Sequence, residues 1–427
     1  MTLASLRTGA WATLPRLRRL GWALFLLECL ILLVIALATY NIFGPMDPPG
    51  STDFISFYAA GDLAQRGMAA LTYDQDLHQS AVREIFGDRR LPYYYFFYPP
   101  VFLLLCQLLA RLPYLAAFGV WVGGTATLCF SALRRILPNR RHWLLFASFP
   151  CLFWTVGLGQ NALLTAGLLG FGTLLIDRRP AAAGALLALI AYKPHFLLLV
   201  PVALVCGRRW RALAGFVLTL PLLVGLVALV YGPGIWTVYA AHTDEIRHVF
   251  EFGRIPFTGP VSSFAAVRVL GGSLAAAYMA QGLAALAAAL TVGWLWARDA
   301  APALRHAALA ASMPLAAPVV LFYDLMPLAI AIAWLTVDIR RTGVRPWEMT
   351  ILAAVWLLSG IAMPVSYLLH VPLGPLAPAL SLALVALRAR EPGRVPVMLP
   401  TVMLPAHAGR TELATSVSPA PDARSRP

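Results

Sequence analysis

Apolar stretches of about 20 residues recur along the chain, the length that crosses roughly 30 Å of hydrocarbon. The first is Gly21–Phe43, and later ones are expected near 114–133, 143–158, 160–176 and 212–231, then 274–297, 303–321, 325–338, 347–369 and 373–388. Two regions interrupt the pattern. The segment Gly44–Tyr98 is polar and carries an amphipathic helical period from Phe54 to Leu71, which predicts a helix lying on a membrane surface. Residues 95–114 carry Pro99-Pro100 near their start and are short, which predicts a re-entrant or interfacial helix.

The run 181–206 differs from the others. As one helix it would set Arg178 and Arg179 on the opposite face of the membrane from Arg208, Arg209 and Arg211. A break at Lys193-Pro194 makes two short helices and keeps both arginine groups on one side, and a residue before proline is disfavoured in the helical region. The expected fold is therefore all-α and polytopic, with roughly ten to twelve crossings. Residues 1–20 form a cytoplasmic N-terminus and 21–390 one membrane domain with outer loops near 44–98 and 232–263; 391–427 form a disordered cytoplasmic tail rich in Pro, Ser and Ala.

Composition sharpens this reading. Hydrophobic residues make up 60%, charged residues 12%, and the mean hydropathy is +0.74, outside the range of soluble globular chains. The net charge of +14 sits in short clusters between apolar runs: Arg16, Arg18 and Arg19; Arg134, Arg135, Arg140 and Arg141; Arg340 and Arg341. That is the bias of cytoplasmic loops, and it argues against a nucleic-acid partner. The basic N-terminus ahead of Gly21 reads as a retained signal anchor. Five cysteines, Cys29, Cys106, Cys129, Cys151 and Cys206, lie singly in apolar stretches and read as small buried side chains.

The candidate chemistry lies in four stretches that this topology gathers at the outer side: DFISFYAAGD (53–62), GQN (159–161), YKPH (192–195) and FYD (322–324). The first outer loop holds seven of the 19 acidic residues: Asp47, Asp53, Asp62, Asp74, Asp76, Glu84 and Asp88. Asp53 fits a general base at the membrane surface, or a helix N-cap. Lys193, the single lysine beside 32 arginines, fits an anchor for phosphate or carboxylate in a polar cavity, or a side chain that snorkels to the headgroups. Asp324 fits a ligand for sugar hydroxyls, a partner for Lys193, or a turn residue. Gln160 and Asn161 fit sugar-binding amides or caps of the next helix. Tyr58, Tyr98, His195 and Tyr323 join the substrate-binding set, Glu28 reads as paired locally or facing the bundle, and His195 and His370 read equally as structural. No nucleotide-binding or HExxH motif occurs. No cofactor and no metal are called for by any spacing.

The ordered stretches DFISFYAAGDL, FFYPPVFLLL, RLPYLAAFGVW, GLGQNALLTAGLL, DRRPAAAGALLAL, YKPHFLLLVPVAL and PLAAPVVLFYDLMPLA resemble glycosyltransferase family 87, polyprenol-phosphate-mannose-dependent membrane proteins of the GT-C fold. The resemblance spans roughly residues 50 to 340. It implies an inverting sugar transfer at the outer face of the inner membrane, from a polyprenyl-phosphate sugar to a glycan or glycolipid acceptor. Asp53 matches the acidic residue of the first outer loop that serves as base. Lys193 and Arg254 are then positioned to bind the donor phosphate. Better understood relatives place a histidine late in the cavity where this chain has Tyr323-Asp324, which leaves sugar and acceptor open. A transporter or flippase of lipid-linked substrates is the rival from another class, and an envelope assembly protein a third.

Overall fold

The computed structural model describes residues 2–39, 53–86, 94–138 and 143–390. Asp47, Asp88, Arg140, Arg141 and the tail 391–427 lie outside the described residues.

Among those described, the chain is helical, and its β-type pairing is one isolated bridge, Pro260–Leu321. The helices are α1 Leu3–Thr8, α2 Leu14–Thr39, α3 Phe54–Gln65, α4 Gln75–Phe86, α5 Pro100–Leu109, α6 Tyr114–Ile136, α7 Trp143–Ala147, α8 Pro150–Leu158, α9 Ala162–Leu175 and α10 Pro180–Ala188. They continue as α11 Leu199–Cys206, α12 Trp210–Tyr231, α13 Gly234–Glu251, α14 Ser263–Val269, α15 Leu274–Ala297, α16 Pro302–Ala316, α17 Pro327–Thr342, α18 Glu348–Leu369 and α19 Leu376–Arg390.

Among the described residues, six segments are long and apolar enough to cross a bilayer: Leu14–Leu37, Tyr114–Ile136, Trp210–Tyr231, Leu274–Ala297, Phe322–Thr342 and Glu348–Leu369. The chain is thus an all-α multi-pass membrane protein. Several other expected spans are built from shorter pieces, and proline is the reason. The expected span 143–158 is divided before Pro150 into α7 and α8. The expected span 303–321 stops at Ala316, because Ala317 precedes Pro318 and is extended (φ −75°, ψ 132°). The break at Lys193 takes the same form. Lys193 is extended (φ −127°, ψ 75°) between two 3-10 turns, Leu189–Tyr192 and Pro194–Leu197.

The segment 95–114 contains only the ten-residue α5, about 15 Å long and too short to cross. The expected surface helix over 54–71 turns out otherwise. Helix α3 ends at Gln65, and Phe54, Ile55, Phe57, Ala59, Ala60, Gly61, Leu63 and Ala64 are all buried. It is enclosed by protein because its small residues admit α5. A Cβ at Gly61 would overlap the Cys106 carbonyl oxygen. Gly61→Val is therefore expected to push α3 off α5 and lower the melting temperature, with a cost of about 1–3 kcal/mol, measurable by thermal unfolding in detergent.

Helix α16 is the central stave: every residue from Ala303 to Ala316 is buried. Helix α2 is peripheral. It packs on α7 and α8 and leaves Leu26, Leu30 and Leu33 outward. Cys29 shares that outward face, so the reading of all five cysteines as buried holds for Cys106, Cys129 and Cys151, while Cys206 is intermediate. Glu28 is half-buried on α2, with no ion-pair partner among the described residues.

At one end of the bundle a buried network ties three helices. The Arg388 guanidinium on α19 donates to Asp338 on α17 at 2.7 Å and to Glu348 on α18. The candidate chemistry lies at the other end.

Candidate active site

Asp53 directly precedes α3 and lines a cavity of about 470 Å³. Its place follows from aromatic packing. Phe54 and Phe57 are fully buried among Tyr114, Phe118, Tyr98, Phe102 and Trp121. Gly159, between α8 and α9, is left-handed (φ 66°) and pressed against this cluster. A Cβ there would lie 2.7 Å from both Phe118 and Phe54, and the Trp121 indole N–H donates to the Gly159 carbonyl at 2.8 Å. The turn so held aims Gln160 at Asp53.

The Gln160 amide donates to Asp53 Oδ2 at 2.7 Å, and the Tyr98 hydroxyl donates to Gln160 Oε1 at 3.1 Å. One carboxylate oxygen is thereby fixed. Oδ1 takes no hydrogen bond from the described residues. Asp53 makes no capping bond to α3, so the N-cap alternative is not what the side chain does. Asn161 likewise makes no capping bond to α9. It is fully buried behind the cavity beside Tyr98. Asp53 stands outside the spanning helices, and burial raises its carboxyl to about 6 against the opposing bond from Gln160.

Lys193 faces the same cavity and is 3% exposed. Its ammonium is paired with Asp324 Oδ1, while Asp324 Oδ2 accepts from the Leu321 backbone N–H at 3.2 Å. The rings of Tyr98, Phe196 and Tyr323 stand 5.6–5.8 Å from the ammonium, within cation–π range. Asp324 is thus the partner of Lys193, one of the three roles open to it from sequence. Snorkelling to headgroups does not describe a lysine this enclosed.

A further wall comes from α13, whose Tyr239, Thr243, Ile246 and Phe250 line the cavity at spacings of four, three and four, one helical face. The chain then delivers Arg254 to the lining, exposed and with no ion-pair partner among the described residues. Beyond it, the Val261 N–H donates to the Val320 carbonyl at 2.7 Å. That pairing joins the loop after α13 to the segment leading into Asp324.

The structure therefore brings Asp53, Tyr98, Gln160, Lys193, His195, Arg254, Tyr323 and Asp324 to one cavity. Tyr58 is elsewhere: its hydroxyl donates to the Leu112 carbonyl at 2.9 Å, anchoring α3 to the chain before α6. Tyr94, Tyr95 and Phe97, and the α13 stripe, are lining residues the sequence reading did not single out. Signals for both exist, in the aromatic run 93–98 and in the helical period of 239–250. Chemically, the described residues offer a carboxylate with one oxygen that none of them binds, a neutralised lysine, an arginine that none of them pairs and aromatic walls.

A family model described as glycosyltransferase family 87 matches residues 96–322, just over half of the 427. The match includes Tyr98, Gln160, Lys193 and Arg254 and stops short of Asp53 on one side and Tyr323 and Asp324 on the other. No curated protein and no solved structure matches the chain.

Proposed function

This chain belongs to glycosyltransferase family 87, and from that premise we propose that the cavity moves a sugar, mannose or another hexose or pentose, from a polyprenyl-phosphate donor to a glycan or glycolipid acceptor, with inversion. The observation that carries this is the Tyr98–Gln160–Asp53 relay. It holds one carboxylate oxygen and leaves Oδ1 for the acceptor hydroxyl.

In this mechanism Asp53 Oδ1 takes the acceptor proton as the hydroxyl oxygen bonds to the anomeric carbon. The bond from that carbon to the phosphate oxygen breaks on the opposite side, and its electron pair leaves with the lipid phosphate. The leaving monoester gains one negative charge, so a fixed cation nearby stabilises the transition state more than the ground state. Among the described residues, two cations line the cavity. Lys193 is already balanced by Asp324, so Arg254 supplies the net positive charge for the phosphate, and Lys193 adds a preorganised donor. The aromatic walls of Tyr94, Tyr95, Phe97 and Phe250 suit sugar faces and prenyl chain alike.

The positive-inside rule supports an outer-face site in the inner membrane. Arg134 and Arg135 end α6, whose start at Tyr114 packs on Phe54 beside the cavity. Arg340 and Arg341 likewise end α17, whose start adjoins Asp324. Arginines at these far ends support a cavity that faces away from the cytoplasm.

The test is transfer in proteoliposomes from synthetic polyprenyl-phosphate sugars, reading both glycosylated acceptor and released polyprenyl phosphate. Movement of the lipid across the bilayer without sugar transfer would instead support the flippase. In the same assay Arg254→Gln is expected to raise the donor KM roughly tenfold, the worth of one charge-assisted contact, with an unchanged melting temperature. An unaltered donor KM would remove Arg254 from the phosphate site.

A further inference from the structure

A second cavity, of about 150 Å³, opens at the end of the bundle opposite the active site. Its walls are Trp11, Leu20, Phe146, Ile332, Leu352 and Trp356, from the start of α2 and its approach, α7, α17 from Ile332 onward and the first half of α18. Among the described residues, Arg340 is the single charged side chain in this lining. It stands in the last turn of α17, eight residues beyond Ile332, so the cleft runs about 12 Å along that helix from an apolar end to a cationic one.

Arg340 is half-buried and has no hydrogen-bond or ion-pair partner among the described residues. The surroundings add positive charge. Arg16, Arg18 and Arg19 are exposed on α2 around the lining residues Leu17 and Leu20. Two acids near the cleft, Asp338 on α17 and Glu348 on α18, are both held by Arg388. A partly desolvated cation with no counter-ion among the described residues, at the end of an apolar slot, fits an amphiphile with a negative head and a hydrocarbon tail. The slot is too small for a helix about 10 Å across.

We infer that this cleft is a binding site for an anionic phospholipid of the leaflet opposite the active site, with an acyl chain along α17 and the phosphate on Arg340. Basic pockets between membrane helices are suited to such headgroups, and one arginine near the surface gives roughly a fivefold gain in affinity. The site is independent of the transfer reaction, so it stands or falls apart from it.

The full-length protein in neutral detergent, titrated with dioleoyl phosphatidylglycerol or dioleoyl phosphatidylcholine, tests this by native mass spectrometry and melting temperature. The wild type is expected to bind phosphatidylglycerol preferentially and to melt higher with it. Arg340→Gln should weaken that binding about fivefold or more and leave phosphatidylcholine binding unchanged. Ala353→Trp, which fills the cleft at constant charge, should abolish the preference. Arg178→Gln removes an exposed arginine that does not line the cleft and should leave the preference intact. Equal binding of the two lipids by the wild type, or an equal loss in Arg178→Gln, would reduce the site to diffuse attraction by a basic surface. A preference surviving in Ala353→Trp would overturn the assignment even if Arg340→Gln failed to fold.

Discussion

Asp53→Asn is expected to lower the rate of sugar transfer about a thousandfold, within the range for loss of a general base, while the protein remains at least as stable at pH 7. The amide keeps the shape and can still meet Gln160, but it accepts no proton. Stability moves the other way because of linkage. Burial raises the Asp53 carboxyl from 3.8 to about 6 in the folded protein. The unfolded chain therefore gives up its proton first, and the folded state loses stability as pH rises from about 4 to 6. Asparagine has no such loss. In the wild type, transfer should rise with pH through about 6 and then level, as Asp53 ionises. Full transfer activity in Asp53→Asn, or an unchanged acid limb in its pH profile, would remove Asp53 as the base.

The second large effect concerns stability and activity together. Lys193→Met leaves the Asp324 carboxylate buried without its ammonium, which costs about 3–5 kcal/mol for a pair this enclosed. Removing the second charge should undo most of that loss. Lys193→Met combined with Asp324→Asn is expected to melt close to the wild type, since asparagine can still accept the Leu321 N–H and the ammonium's place among Tyr98, Phe196 and Tyr323 is filled by thioether. Transfer should stay low in both variants, because the donor to the leaving phosphate is gone. Melting temperature and turnover across this double-mutant cycle separate the two roles. A single Lys193→Met as stable as the wild type would mean that the ion pair contributes nothing.

Much of this architecture is legible along the chain because its causes are local. An apolar run of about 20 residues has few alternatives to a membrane helix, and a residue before proline avoids the helical region wherever the chain lies. The break at Lys193 and the brevity of α5 follow from those rules. The environment of α3 does not. Its residues suit a half-buried surface helix as well as an enclosed one, and only the approach of Cys106 to Gly61 decides between them. Tyr58 shows the same limit: an aromatic one helical turn from Phe54 points away to Leu112.

The sequence by itself determined the class of molecule, the positions of most breaks, and a short set of polar residues set against apolar surroundings. It left Asp53 as base or cap and Asp324 as sugar ligand, partner or turn. Tertiary structure decided these, because the deciding contacts join residues far apart in the chain: Asp53 with Gln160 across 107 positions, and Lys193 with Asp324 across 131. Hydropathy and backbone preference act over a few residues. Which carboxylate keeps a free oxygen, and which cation is already neutralised, depends on how helices with no local relation pack together.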